Sequence, residues 1–367
     1  MKPRAQREVY VDEDAIEEDR THYADGDMLS FVIAAACEKK TVVVTHKPSK
    51  TEKIFKNKTE FQGRSKKTLG GWLGDLNKSR VERDQKPFEL KEFILEEKYE
   101  ADSIENCLHS VKQKIKSIEK HLGQQKTHIV MGTGENFRHK LLMPKKYKWN
   151  REGSHKPLLL NETREYLTNI KKAEVCTGIE ADDQLSIYQY NGHLGFLETG
   201  KHTTIVSCVD KDARSTDGQL NNPTTSSGGK FVYPEPLIIN GLGELYLTPK
   251  GEPKGHGRAW LYYQILFGDP TDGYSPTDGL IKGYGKKSAF DDLVDCKTDK
   301  EYWERIVEVY HDWFPTGLQY EAWEKTEMDI KPVEWMQMQA TCAFMQRWKD
   351  DSLDVRKVLD KFEITYD

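Results

Sequence analysis

Four short β-prone runs, Tyr23–Ala24, His128–Met131, Glu174–Thr177 and Thr203–Val209, alternate with helix-forming stretches along this chain, and three of the four are followed closely by carboxylates. Strands that alternate with helices predict a parallel α/β sheet flanked by helices. The helical stretches are Met28–Ala36, Leu160–Ala173, Ile179–Tyr190 and a long amphipathic one from about Asp102 to Leu122. In the last, Ile104, Leu108, Val111, Ile115, Ile118 and Leu122 recur every three or four positions and Gly123 closes the run. Such a sheet offers its binding site beyond the carboxyl ends of its strands.

The acids fall there. Asp25 follows the first strand, Glu180, Asp182 and Asp183 the third, and Asp210 and Asp212 the fourth; Asp269 and Asp272, in FGDPTDGY, add a further pair. Any one of them alone reads more readily as a helix cap than as a ligand, and an acidic first turn also suits the helix dipole. Together they concentrate charge that cannot all remain ionised without a cation among it. Mg²⁺ suits such a set, because it takes oxygen ligands and keeps several waters. Two such ions activate a water and stabilise a leaving oxygen.

Composition narrows the class. The 367 residues carry a net charge of -5, so a basic surface must be segregated from the acids. Cys37, Cys107, Cys176, Cys208, Cys296 and Cys342 are scattered without a C-x-x-C pair, which argues against zinc and disulfides and suits a reducing cytoplasm. The charged N-terminus lacks an apolar stretch, and no run is long enough to span a membrane, so a soluble, intracellular protein is expected.

Residues 1–20 read as a polar lead-in and 21–257 as an α/β core. Within the core, 41–100 is a basic, aromatic-interleaved insertion with a hairpin, and 213–257 an exposed loop carrying another hairpin. Residues 258–300 and the aromatic 301–367 read as helical.

The motifs resemble those of the 5′ nuclease superfamily, nearest its bacteriophage 5′–3′ exonuclease and flap endonuclease branch. GIEADDQLSIY resembles its E-x-D-D motif, IVSCVDKDA its D-x-D strand end, and YADGD its N-terminal aspartate. FGDPTDGYSPTDGLIKGYGKKSA is similar to its G-D-x-x-D followed by a helix–turn–helix DNA-binding element, here 258–300. The resemblance implies a PIN-like fold and two Mg²⁺ sites, with Mn²⁺ able to substitute. Asp25, Glu180, Asp182, Asp210 and Asp212 would form the first; Asp183, Asp269 and Asp272 would contribute to the second. It also implies phosphodiester hydrolysis at 5′ ends, nicks, gaps or flaps of DNA, or on RNA–DNA hybrids, in phage replication or recombination within an infected cell's cytoplasm. There is one departure: in VMGTGENFR, Thr133 stands where the family has an aspartate, and Glu135 is the acid nearest to it.

Residues 135–165 then correspond to the arch over the active site. Tyr147, Lys148 and Arg151 match a Y-K-x-x-R pattern that meets the scissile phosphate, and cations there neutralise developing charge. Arg138, Lys145 and Lys146 belong to the same basic stretch. Gly279, Gly283, Gly285, Lys286 and Lys287 are expected to track one strand of duplex, glycine allowing the backbone close to phosphate. A monovalent cation such as K⁺ at that element follows by analogy. The basic insertion either grips DNA or docks a replication protein. Two rivals stand: a structure-selective DNA-binding protein with impaired catalysis, which Thr133 motivates, and a PIN-like ribonuclease.

Overall fold

The structure, a computed structural model, describes residues 20–65, 69–124, 126–225, 231–232, 234–277 and 280–366. In chain order, β1 is Thr21–Asp25, α1 Gly26–Ala36, β2 Glu38–His46, β3 Glu52–Phe55, α2 Lys58–Gln62, α3 Gly71–Glu82, β4 Phe93–Ala101, α4 Ile104–His121 and β5 Thr127–Asn136. Then come α5 Leu160–Glu165, β6 Glu174–Gly178, α6 Ala181–Thr199, β7 Thr204–Ser207, β8 Gly218–Asn221, β9 Thr224–Thr225, β10 Phe231–Val232, β11 Leu237–Ile239, β12 Glu244–Leu247 and β13 Pro253–His256. The last part comprises α7 Arg258–Phe267, α8 Lys286–Leu293, α9 Asp299–Trp313, β14 Leu318–Glu321, β15 Glu327–Ile330, α10 Pro332–Ala343 and α11 Val355–Lys361.

The chain divides into two units. One comprises residues up to Leu29, Gln113–His155 and from Tyr166 onward; the other comprises Ser30–Lys112 and Lys156–Glu165. The first is built on a six-stranded sheet of order β11-β8-β7-β1-β5-β6, parallel except for β11, which runs against β8. The sequence therefore predicts the sheet class correctly. Order reverses around β1, because the chain steps from β1 to β5 and β6 on one side and returns through α6 to β7 on the other. That reversal is the switch point where such sheets open a crevice. Val130, Leu185, Val206 and Leu220 lie in its apolar core, and Gly26 admits α1 against β5, since a Cβ there would lie 2.5 Å from Met131.

A larger core in the same unit joins α7, α8, α9 and α10 around Trp303, Trp335 and Tyr310. Two expectations change here. Residues 213–257 are not only an exposed loop: β8 is buried throughout, and its polar residues are satisfied, Gln219 accepting from Arg20 and Asn221 accepting from Ser207. The stretch beyond residue 301 is not all helical, since β14 and β15 form an antiparallel hairpin.

The second unit holds an antiparallel sheet, β3-β2-β4, with a core of Val42, Val44, Phe55, Phe61, Leu73 and Phe93. The hairpin expected in the basic insertion, β2–β3, thus supplies two strands of a three-stranded sheet. No helix among the described residues is long and apolar enough to cross a membrane.

Candidate active site

Asp25 ends β1 and caps α1, taking the Met28 amide on Oδ1 at 2.9 Å. Its other oxygen faces Cys208, just past β7, and the Cys208 thiol lies 3.4 Å from Asp182 in the first turn of α6. One ligand atom each from Asp25, Asp182 and Cys208 lie within 4.8 Å of one another. A second group of the same size is formed by Asp212, Asp269 and Asp272, all buried. Asp210 connects the two: its charge acts on Asp25 and Asp182 as well as on Asp212. Three strand ends and the turn after α7 thus bring their acids to one edge of the sheet.

These carboxylates are held in an environment hostile to their charge. Burial, with Asp27 and Asp210 adding, pushes Asp25 up to about 7. Burial and neighbouring acids also raise Asp182, Asp210 and Asp212. A divalent cation relieves that cost, and the hard oxygen donors fit Mg²⁺ or Mn²⁺. Cys208 is the one soft donor. Burial, then Asp182 and Asp25, raise its thiol pKa, and the thiol donates to Asp182.

Cations approach the same acids. Tyr147 donates to Asp272 at 2.7 Å and to Glu180 at 3.2 Å. Lys148 pairs with Glu180 and lies 3.7 Å from Asp272, and Arg151 pairs with Asp272. Burial opposes the Lys148 charge, but Glu180 and Asp272 outweigh it and raise its pKa. The segment is pinned to the acid turn by Lys148 N–H on the Asp272 carbonyl and by Gly273, where a Cβ would come within 3.0 Å of Trp149. Lys211 pairs with Asp269 at 2.8 Å.

Two expected roles do not survive. Arg138 does not face solvent: it is fully enclosed, with two bonds to Asp183 at 2.6 and 2.8 Å, one to Glu180, and two to the Cys342 and Phe344 carbonyls. Asp183, expected as a ligand of the second site, is the other half of that clamp. It also accepts from the amides of Glu180 and Gln346. Asp212 stands with Asp269 and Asp272 instead. Glu135 does not stand in for the acid missing at Thr133; both are exposed on the extension of β5. At that strand end Asp27 accepts from Gly132 N–H at 2.9 Å, a carboxylate the motifs left without a role.

Lys145 and Lys146 lie over the rings of Trp149 and Trp323. Gly283 has φ +83°, and Lys286 and Lys287 open α8 as exposed side chains behind Gly285. Gly279 lies outside the described residues. Sequence reasoning missed Asp27, Cys208, Lys211 and Gln264. The last was legible as the lone amide in an otherwise apolar and aromatic run, Ala259–Phe267; its Nε2 donates to Asp212.

No protein-family profile and no curated protein matches the sequence. Among solved structures, the chain is similar to a bacteriophage T5 flap endonuclease in a pseudo-enzyme–product complex with DNA and metal ions. That match has 15% identity and a TM-score of 0.37, covering 70% of this chain and 88% of the other. It is also similar to the T5 D15 protein co-crystallised with metal ions, at 15% identity and a TM-score of 0.38, covering 70% and 90%.

Proposed function

We propose that this protein is a divalent-metal-dependent nuclease that hydrolyses DNA phosphodiesters at free 5′ ends, nicks, gaps or flaps. The observation that carries the reading is the pair of acid groups, Asp25 and Asp182 beside Cys208 and the buried Asp212–Asp269–Asp272, with the charge of Asp210 acting on both and with Tyr147, Lys148 and Arg151 directed at neighbouring acids. A protein that only binds DNA gains nothing from carboxylates facing phosphate.

Asp25, Asp182 and Asp210 would hold one cation, and Asp212, Asp269 and Asp272 the other. Bound there, the cations would supply an activated water and charge neutralisation for the leaving oxygen. The remaining chemistry belongs to the chain. Lys148 and Arg151 exchange their carboxylate partners for the scissile phosphate and neutralise the charge that develops on it. The Tyr147 hydroxyl orients Glu180 and Asp272. Lys145, Lys146, Lys286 and Lys287 supply phosphate contacts that set position without reading sequence. Polarity from the 5′ side, RNA–DNA hybrids as substrates, K⁺ near Gly283 and a replication partner for the basic insertion follow from the motif resemblance.

The test is cleavage of nicked and flapped duplexes, labelled at either end of the cut strand, with Mg²⁺, with EDTA, and with Asp210→Asn. Release from the 5′ side that needs metal and falls by about 10²-fold or more in the variant is the expected result. Tight binding without cleavage in Mg²⁺ or Mn²⁺ replaces this reading with a DNA-binding one, and cleavage of single-stranded RNA alone with a ribonuclease.

A further inference from the structure

Two polar groups beside the Asp212–Asp269–Asp272 set have no use for the protein as it stands. Gln264, on α7, is 1% exposed; its amide nitrogen donates to Asp212, but its Oε1 has no partner. Tyr274 is 3% exposed, and its hydroxyl also lacks one. Its backbone is tied to Asp269 by two hydrogen bonds, N–H to O at 3.2 and 2.9 Å, and its hydroxyl lies within electrostatic reach of Asp212 and Asp269. A buried polar atom left unmatched costs about 1–3 kcal/mol, so two beside the same acids call for a shared explanation.

The chemistry of the walls selects it. Gln264 Oε1 accepts hydrogen bonds only, and carboxylates that have given up their protons to a bound cation have nothing to donate to it. It needs a donor that also satisfies three acids. A divalent cation that retains part of its hydration shell is such a species. The carboxylates take the ion, and its waters, whose lone pairs point to the metal, donate outward.

Resting on the metal reading above, we propose that the Asp212–Asp269–Asp272 group binds its cation as a partly hydrated ion whose waters are anchored by Gln264 Oε1 and the Tyr274 hydroxyl. Both are positioning residues. They set which waters the ion keeps, and so favour a cation that dehydrates reluctantly.

The test is Mn²⁺ binding to the full chain without DNA, read from the free-ion EPR signal, with thermal unfolding in the presence and absence of Mn²⁺. Tyr274→Phe and Gln264→Met are each expected to weaken one class of Mn²⁺ site by about tenfold or more. The class removed by Asp25→Asn should stay unchanged, and the Mn²⁺-induced rise in Tm should shrink. Tyr274→Phe deletes an unmatched hydroxyl, so without metal its Tm should not fall. Variants that bind Mn²⁺ like the wild type, with Tm changes identical with and without the ion, overturn the proposal and leave an ordinary buried water at these atoms. A wild type that binds no Mn²⁺ fails differently, because it removes the metal reading itself.

Discussion

All five N–H donors of Arg138 are engaged inside the protein, and no property of its neighbours announces this. Phe137-Arg138-His139-Lys140 reads as a basic surface, and sequence alone does not say which cation turns inward. Arg138→Met should strand Asp183 as a buried charge and cost about 3–5 kcal/mol in denaturant unfolding. A DNA contact would instead lose affinity with unchanged stability. His22 is the second case. It lies in the middle of the sheet, between Thr127 and Ser207, and burial, with Arg20 adding, lowers its pKa to about 3. The unfolded chain therefore binds the proton more readily. Stability from this group is complete above about pH 6.5 and falls by up to about 1.4 kcal/mol per pH unit as pH drops toward 3. Asp25, raised to about 7, acts in the opposite sense between its unfolded value and 7. Comparing wild type with His22→Gln from pH 7.5 to 5 isolates the histidine, and the wild type should lose more stability on acidification. Equal slopes would mean that His22 is not held neutral.

At the scale of elements, strand ends carrying acids were readable because period and chemistry coincide: an apolar run stops and a carboxylate follows at Asp25, Glu180 and Asp210. What was not readable has a common cause. β8 reads Gly-Gln-Leu-Asn, a loop by composition, yet each of its polar side chains meets a partner that only the tertiary fold supplies. β5 likewise runs on to Asn136, past a register shift against β6 between Gly132 and Asn136, which exposes Thr133 and leaves that strand end to Asp27. On the proposed reading, α8 is a phosphate-contacting element rather than a sequence reader. Lys286→Ala and Lys287→Ala should each weaken duplex binding uniformly across sequences and reduce the slope of log affinity against log salt by about 0.9. An unchanged slope would remove α8 from the interface.

For the whole molecule, the basic insertion proves to be a module with adjacent ends. β2 and β4 pair from Glu38 and Ala101 outward, and the Asp102 amide bonds the Cys37 carbonyl at 2.8 Å. A chain that leaves and returns at one place can be shortened there at little loop-closure cost. Replacing residues 40–99 by a short glycine linker should keep Mn²⁺ binding and cleavage. Loss of both would show that the module supports the acid site. Lys148, Arg151 and Lys211 lead to a last consequence. Each is already neutralised by a carboxylate. A phosphate reaching such a site does not fill a vacancy; it displaces a rival anion, and the rival stays tethered at high local concentration. On the proposed reading, turnover would be a competition between intramolecular and substrate anions, in which the same carboxylates that resist entry would help to expel the product.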